Sequence, residues 1–285
     1  MSEYRGRAIW GAMILASLSC LPADAALVVG AFDASRAGAA NVTSGDFSTE
    51  SMSLLQAEFV GTTFATSPSL TPEFLAGVDI LILTPASSAT TAIAPLSTDE
   101  QDALLGFVKA GGRALLLAEG ENPFIPVAAT YMALFGVTLV DDGLTGLHPG
   151  ESIAPAHPII NGPFGEVAGA LFYGHGKFSD LGPYATPLAK VSSNGDITLA
   201  AIESGALGPG SGRVVLMADS TPFFDSDDGG FFVLGEHQAL FLNTIQFLSV
   251  PEPTTQHLLA VGGGLAAIGA ALGRRRRSPQ HSSGA

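Results

Sequence analysis

The chain has 285 residues, with 26 Asp and Glu against 12 Lys and Arg, which gives a formal net charge of −14. Half of the basic residues lie in the two ends. Residues 26–249, here called the body, therefore carry a net charge of about −17, which opposes binding to nucleic acid or to an anionic membrane surface. The body holds no cysteine, which excludes disulfides, cysteine nucleophiles and thiolate metal sites. A divalent cation or a neutral glycan suits this charge better.

The amino terminus has the parts of a secretory signal peptide. Two arginines precede a short apolar stretch, and Ala23-Asp24-Ala25 forms a small-x-small cleavage site. We therefore predict that residues 1–25 are a signal peptide, removed during export by the Sec machinery.

The carboxyl terminus has three parts in a fixed order. A stiff box comes first, Pro251-Glu252-Pro253, in which each proline fixes φ and removes an amide donor. Residues 254–273 are uncharged and long enough for a helix that crosses the hydrocarbon layer. Four cations follow and should stay in the cytoplasm. They are Arg274, Arg275, Arg276 and Arg277. Because positive charge flanks both apolar segments on their outer sides, the body is predicted to lie beyond the inner membrane.

This order resembles the PEP-CTERM sorting signal of exported Gram-negative bacterial proteins, the substrates of membrane transpeptidases called exosortases. The resemblance implies transient membrane anchoring, processing near the Pro-Glu-Pro box, and delivery to the cell surface or a biofilm matrix, where exopolysaccharide is a candidate partner. The alternatives are an ordinary carboxyl-terminal membrane anchor and a fortuitous Pro-Glu-Pro linker. The predicted segments are a signal peptide (1–25), an exported domain (26–249), a sorting signal (250–277) and a disordered tail (278–285).

The body alternates between apolar strands and amphipathic helices as far as residue 140. The clearest strand is predicted at residues 78–84, and Ser97 with Glu100 forms a capping box at the start of the next helix. This alternation predicts an α/β fold, with a mostly parallel sheet and helices on both faces. Residues 141–212 have few helical signals and predict a β-rich insertion or extension of the sheet. A closing helix is predicted at residues 234–248.

The body also resembles the flavodoxin-like domains related to class I glutamine amidotransferases. The resemblance implies the scaffold without the chemistry, since amidotransferases use a cysteine nucleophile with a His and a Glu, and no cysteine remains after export. The matching segments are residues 78–83, the helix 99–109 with Gly111-Gly112-Arg113, His157-Pro158-Ile159, and residues 213–220.

Three predicted strands lead into a carboxylate, namely Asp33, Glu119 and Asp219. In an open parallel sheet, ligands bind beyond the carboxyl ends of the strands. Convergent carboxylates at that edge would suit Ca²⁺ or Mg²⁺. The alternative is that each residue is a separate helix cap or turn residue, positions that Asp favours.

A second acidic candidate follows the last predicted parallel strand. Asp225, Asp227 and Glu236 occupy positions one, three and twelve of a calcium loop, with Gly230 at position six. A strand rather than a helix precedes this loop, so a solvated acidic loop is the alternative. Calcium is the one cofactor that the sequence suggests.

The remaining residues give no strong sign of catalysis. The histidines have no zinc spacing, and no Gly-x-Ser-x-Gly elbow occurs. His175, between two glycines, is expected to be exposed. We expect a non-enzymatic surface or matrix protein with a binding or structural module. The alternatives are a metal-dependent envelope hydrolase that uses Asp33, Glu119 and Asp219, and a calcium-dependent glycan-binding module.

Overall fold

The fold is seen in a computed structural model that describes residues 26–43, 45, 49–88, 90–120, 122–224, 232 and 236–250. The predicted signal peptide and the sorting residues from Pro251 onward lie outside these ranges, as do Asp225 and Asp227. No helix within the described ranges is both long and apolar enough to cross a membrane. The chain divides into two units, Met1–Ser249 and Val250–Ala285.

Strands outnumber helices in the described part of the chain. The strands are β1 (Val28–Phe32), β2 (Thr63–Ser67), β3 (Ile80–Leu83), β4 (Ala86–Ser88), β5 (Thr91–Ala92), β6 (Arg113–Leu117), β7 (Thr138–Asp141), β8 (Leu147–Ser152), β9 (Asn161–Gly162), β10 (Gly165–Glu166), β11 (Leu171–Tyr173), β12 (Gly176–Asp180), β13 (Ala185–Val191), β14 (Ile197–Ile202) and β15 (Val214–Met217). The α-helices are α1 (Ala34–Ala37), α2 (Thr49–Glu58), α3 (Pro72–Leu75), α4 (Thr98–Lys109), α5 (Phe124–Met132) and α6 (His237–Ser249). Short 3₁₀ turns cover Gly38–Ala40, Ala133–Phe135 and Thr221–Phe223.

A nine-stranded sheet in the order β11-β8-β13-β14-β15-β6-β3-β1-β2 forms the centre of the body. The strands from β15 to β2 are parallel, and those from β14 to β11 are antiparallel. Counted along the chain, the parallel strands have the order 2-1-3-4-5, which is that of flavodoxin-like sheets. The predicted α/β fold with a parallel sheet is therefore confirmed, with an antiparallel half beside it.

The parallel strands are apolar because both faces of the sheet are covered. Every residue of β3 and of β15 is buried. One face packs against α2 and α6 through residues such as Leu55 and Ile245. The other face packs against α4 and α5 through residues such as Leu104 and Tyr131. Helices thus lie on both faces, as predicted.

The predicted capping box of α4 is present. The Ser97 hydroxyl accepts from the Glu100 amide at 3.3 Å, and the Glu100 carboxylate accepts from the Ser97 amide at 2.9 Å. Arg36 forms an ion pair with the same carboxylate and fastens the start of the helix to α1.

The segment after residue 140 differs in detail from a simple continuation of the alternation. The strand β7 does not join the main sheet but forms a separate antiparallel ribbon with β12, in which Leu139 faces Phe178. The unpredicted strand β8 contains a proline and a glycine and lies between β11 and β13. Its partners, rather than its own β-propensity, hold it in the sheet.

Candidate functional site at the carboxyl ends of two central strands

The adjacent strands β6 and β15 each lead into an acidic residue. Leu117 pairs with Met217 in the parallel register, so that Glu119 and Asp219 follow matched positions on neighbouring strands. The register places both residues at the carboxyl edge of the sheet. This is the edge at which flavodoxin-like sheets bind ligands.

Glu119 is bonded to the residue that follows Asp219. The Ser220 hydroxyl donates to the Glu119 carboxylate, and the Ser220 amide donates to the same oxygen at 3.2 Å. Burial raises the pKa of Tyr131 well above its usual value, and the nearby charge of Glu119 adds to the effect. The Tyr131 hydroxyl therefore keeps its proton, which it donates to the Leu117 carbonyl. Through its bonds with Ser220, Glu119 thus joins the end of β6 to the end of β15.

Asp219 is fully buried. One of its carboxylate oxygens accepts from the Tyr173 amide at 2.6 Å and the other from the Thr221 amide at 2.8 Å. Burial raises the pKa of Asp219 to about 7, although the hydrogen bonds from the two backbone amides oppose this shift. The carboxyl group therefore keeps its proton to a higher pH than an exposed aspartate does.

Residues 173–176, here called the strap, cross the ends of both strands. The Gly120 amide donates to the Gly174 carbonyl at 2.9 Å, and the Gly176 amide donates to the Ala218 carbonyl at 2.8 Å. A Cβ atom on Gly120 would overlap the backbone carbonyl group of His175. The strap can therefore pass so closely over β6 because residue 120 is glycine.

The strap carries His175, which contacts a second buried acid. Its Nδ1 lies 2.8 Å from the Asp142 carboxylate and 3.1 Å from the Gly176 carbonyl, and the side chains of His175 and Asp142 are both fully buried. The Gly176 carbonyl can only accept, so Nδ1 carries a proton and donates it to that carbonyl. Nε2 has no hydrogen-bond partner among the described residues, and the His148 ring meets the His175 ring edge-on with 5.3 Å between the ring centroids. The expectation that His175 is exposed is wrong, because the strap is pinned to the strand ends.

Asp33 lies apart from this cluster. Its carboxylate caps α1 by accepting from the Ser35 amide at 2.9 Å, as the alternative interpretation expected. The strand β1 is two strands away from β6, which corresponds to about 10 Å at the usual strand spacing. Across the described residues, no three His, Cys, Asp or Glu side chains are grouped so that they could hold a metal ion. The structure therefore does not assemble the cation site predicted from Asp33, Glu119 and Asp219.

Of the three predicted calcium-loop ligands, the structure describes Glu236 alone. Its carboxylate accepts from the Gly169 amide at 2.9 Å, an interaction within the fold. Asp225 and Asp227 lie outside the described residues, so the calcium loop stays a prediction.

The carboxyl edge between β1, β3 and β6 contains a small apolar gap. Its volume is about 20 Å³, and its lining includes Phe32, Met52 and Phe241. A gap of this size has room for about one water molecule. This gap is too small for a nucleotide or a sugar.

Comparison with known proteins identifies the tail and the fold. Residues 249–277 match the family model of the PEP-CTERM protein-sorting motif, which supports the predicted sorting signal. No curated protein matches the sequence.

Among solved structures, the mmIFT52 N-terminal domain is similar, with a TM-score of 0.56 and 15% identity over 80% of this chain and 99% of that one. The cytoplasmic protein STM1381 from Salmonella typhimurium LT2 has a TM-score of 0.50 and 20% identity over 70% of this chain and 86% of that one. Identities this low show the fold alone. The resemblance to amidotransferases remains a prediction.

Proposed function

We propose that this chain is an exosortase-processed surface or matrix protein whose body is a non-catalytic binding or structural module. The observation that carries the proposal is the PEP-CTERM motif at residues 249–277, which begins at the last residue of α6. The motif indicates an exported protein that an exosortase processes. The body that precedes it is the cargo.

The carboxyl edge supports a non-catalytic body. A general base must lie within hydrogen-bond reach of a substrate proton. Here Glu119 is bonded to Ser220, and the buried Asp219 accepts from two backbone amides. His175, which is part of the strap, is fully buried. The polar groups of this edge therefore fix the strand ends to one another.

The charge of the body supports a place in a polysaccharide layer. A net charge of about −17 keeps the body soluble and opposes contact with anionic membranes and nucleic acid. It permits contact with neutral exopolysaccharide, and with acidic polymers that divalent cations bridge.

Localisation in the host tests the proposal. We expect the wild-type body, without its tail, in the surface or matrix fraction. A host that lacks the exosortase should retain the intact chain in the membrane fraction, as should a variant with alanine at Pro251, Glu252 and Pro253. The matched control places alanine at Ser282 and Ser283, beyond the arginine block, and should behave as wild type. A wild-type chain that keeps its tail or stays in the cytoplasm would refute the proposal.

A calcium titration and a hydrolysis assay separate the alternatives from the passive module. The mature protein is titrated with calcium and assayed for polysaccharide hydrolysis, alongside Glu119→Gln and Asp219→Asn, which remove the charge and keep the shape of each side chain. An enzyme would lose turnover in these variants while it keeps its fold. A calcium module would show heat of binding and a thermal shift at millimolar calcium. We expect none of these responses.

A further inference from the structure

The end of α6 is held by two arginines from the amino ends of the central strands. Arg113 begins β6, and Arg213 directly precedes β15. The Arg213 guanidinium donates to the Phe247 carbonyl at 2.7 Å, and the Arg113 guanidinium donates to the Ser249 carbonyl at 3.4 Å. These are two of the three arginines in the body. We call them the arginine anchor.

The anchor supplies what the helix itself lacks. The last four carbonyls of a helix have no partner within it, and that end carries a partial negative charge. The last turn of α6 contains no basic residue. Arg213 also stacks over the Phe247 ring at 4.7 Å, and its Nε lies 3.9 Å from the Glu203 carboxylate. The fold therefore holds its final helical turn in place from the sheet.

His157 completes the surroundings of the anchor without adding a cation. Its ring lies 5.0 Å from the Phe247 ring, and its Nε2 is 3.2 Å from the Glu203 carboxylate. Burial lowers the pKa of His157, which the bond to Glu203 opposes and the charge of Arg213 reinforces. At neutral pH, within the part of the chain that the structure describes, the positive charge beside this helix end therefore comes from the two arginines.

The covalent distance from the anchored turn to the sorting box is very short. Val250 alone separates Ser249 from Pro251. Two residue steps span at most about 7 Å of extended chain. A transpeptidase that binds an extended segment on both sides of its cleavage point therefore needs more extended chain than Val250 supplies. That chain becomes available only when the last turn of α6 opens.

We propose that Arg113 and Arg213 are positioning residues for exosortase processing, because they hold α6 closed up to Ser249 and so limit how much chain the enzyme can grasp upstream of the box. The inference rests on the proposed sorting function. Processing then depends on the opening of the last helical turn, and weakening the anchor makes processing faster.

The experiment is a pulse-chase of the full chain in its host, with tail removal followed by gel shift and mass spectrometry. We expect Arg213→Ala and Arg113→Ala to be processed about three to ten times faster than wild type, since a tenfold change corresponds to about 1.4 kcal/mol. Arg213→Lys, which keeps a donor and the charge, should lie between them and wild type. Ser97→Ala, which loses a distant helix cap at a cost of about 1 kcal/mol, controls for general destabilisation and should leave the rate unchanged.

An insertion distinguishes an effect of the arginines on the length of accessible chain from an effect on the stability of the body. Gly-Ser-Gly-Ser placed between Val250 and Pro251 supplies free chain, so the inserted wild type should match the fast rate and Arg213→Ala should add nothing to it. Equal or slower processing of the arginine variants overturns the proposal, as does an arginine effect that persists after insertion. A wild-type chain that is never processed refutes the sorting function, and the anchor proposal falls with it.

Discussion

The two ends of β6 and β15 have opposite chemistry. At the amino ends, Arg113 and Arg213 reach out to the carbonyls of α6, at the point where the chain leaves the body. At the carboxyl ends, Glu119 and Asp219 turn inward to hydroxyl and amide donors beneath the strap. The same pair of strands thus carries a partly buried cationic end that bonds to α6 and an acidic end that bonds within the sheet edge.

This difference indicates where the molecule can interact and where it is fixed. Buried polar groups stabilise a fold when every one is satisfied, and they are costly when one is not. The carboxyl end is therefore sensitive to small changes in shape or charge. The amino end, whose groups are partly solvated, tolerates substitution and can open at a modest cost.

The largest effect is expected for Gly120→Ala, which drives a Cβ atom into the backbone of His175. Because backbone rather than a flexible side chain is in the way, the strap must move, and we expect a loss of more than about 3 kcal/mol in the free energy of unfolding. The matched control is Gly106→Ala within α4, where no atom lies within 4 Å of the new Cβ. It should stabilise the helix by up to about 1 kcal/mol. Urea denaturation measures both, and equal stabilities would show that the strap is not closely packed.

Asp219 should make the stability of the body depend on pH. Its folded pKa of about 7 lies above the value of 3.8 for a free Asp. As the pH rises from about 4 to about 7, the unfolded chain releases this proton before the folded chain does. The free energy of unfolding should therefore fall over that window, by up to a few kcal/mol, and level off above it.

Asp219→Asn tests this, because it cannot ionise and should lack that part of the slope. The measured quantity is the difference in unfolding free energy between wild type and variant at several pH values from 4 to 8. Asp79→Asn is the control, since the exposed Asp79 carboxylate also accepts a backbone amide, that of Val28 at 2.8 Å. A difference between wild type and Asp219→Asn that is constant with pH would contradict the prediction.

At the amino end, Arg213→Gln should cost about 1.5–3 kcal/mol in the free energy of unfolding, the usual contribution of a hydrogen bond to a charged group. Lys177→Gln is the control, because Lys177 is more exposed and pairs with Asp196 at 3.4 Å. Such surface pairs contribute at most about 1 kcal/mol. Thermal unfolding of the three proteins side by side measures both costs. An Arg213 cost no larger than that of Lys177 would mean that the anchor does not hold the helix.

The parts of the fold that were predictable have local signals. The apolar run of β3 and the capping box at Ser97 lie within short stretches of sequence. The acids at the carboxyl ends were found because each directly follows a recognisable parallel strand. Strand order is not local, however, and it separates Asp33 from Glu119 by two strand spacings.

The missed features depend on contacts between residues far apart in the chain. Asp142 meets His175 across 33 positions, and Arg113 meets Ser249 across 136. Neither pair has a spacing that a helix or strand period would reveal. The burial of His175 depends on Gly120, whose importance appears only when the strap is placed over it. Long-range packing of this kind decides polar partners, and single-sequence patterns do not contain it.

The smallest effect is expected for Asp33→Asn, which tests the cation alternative at the carboxyl edge. Asn caps a helix about as well as Asp, so the free energy of unfolding should change by less than about 0.5 kcal/mol. Thermal unfolding of wild type and variant is measured with and without millimolar Ca²⁺ or Mg²⁺. Because Asp33 caps α1 apart from Glu119 and Asp219, we expect the two proteins to respond alike to either cation. Stabilisation of wild type alone would mean that Asp33 binds a metal and that the carboxyl edge can be opened from the side of β1.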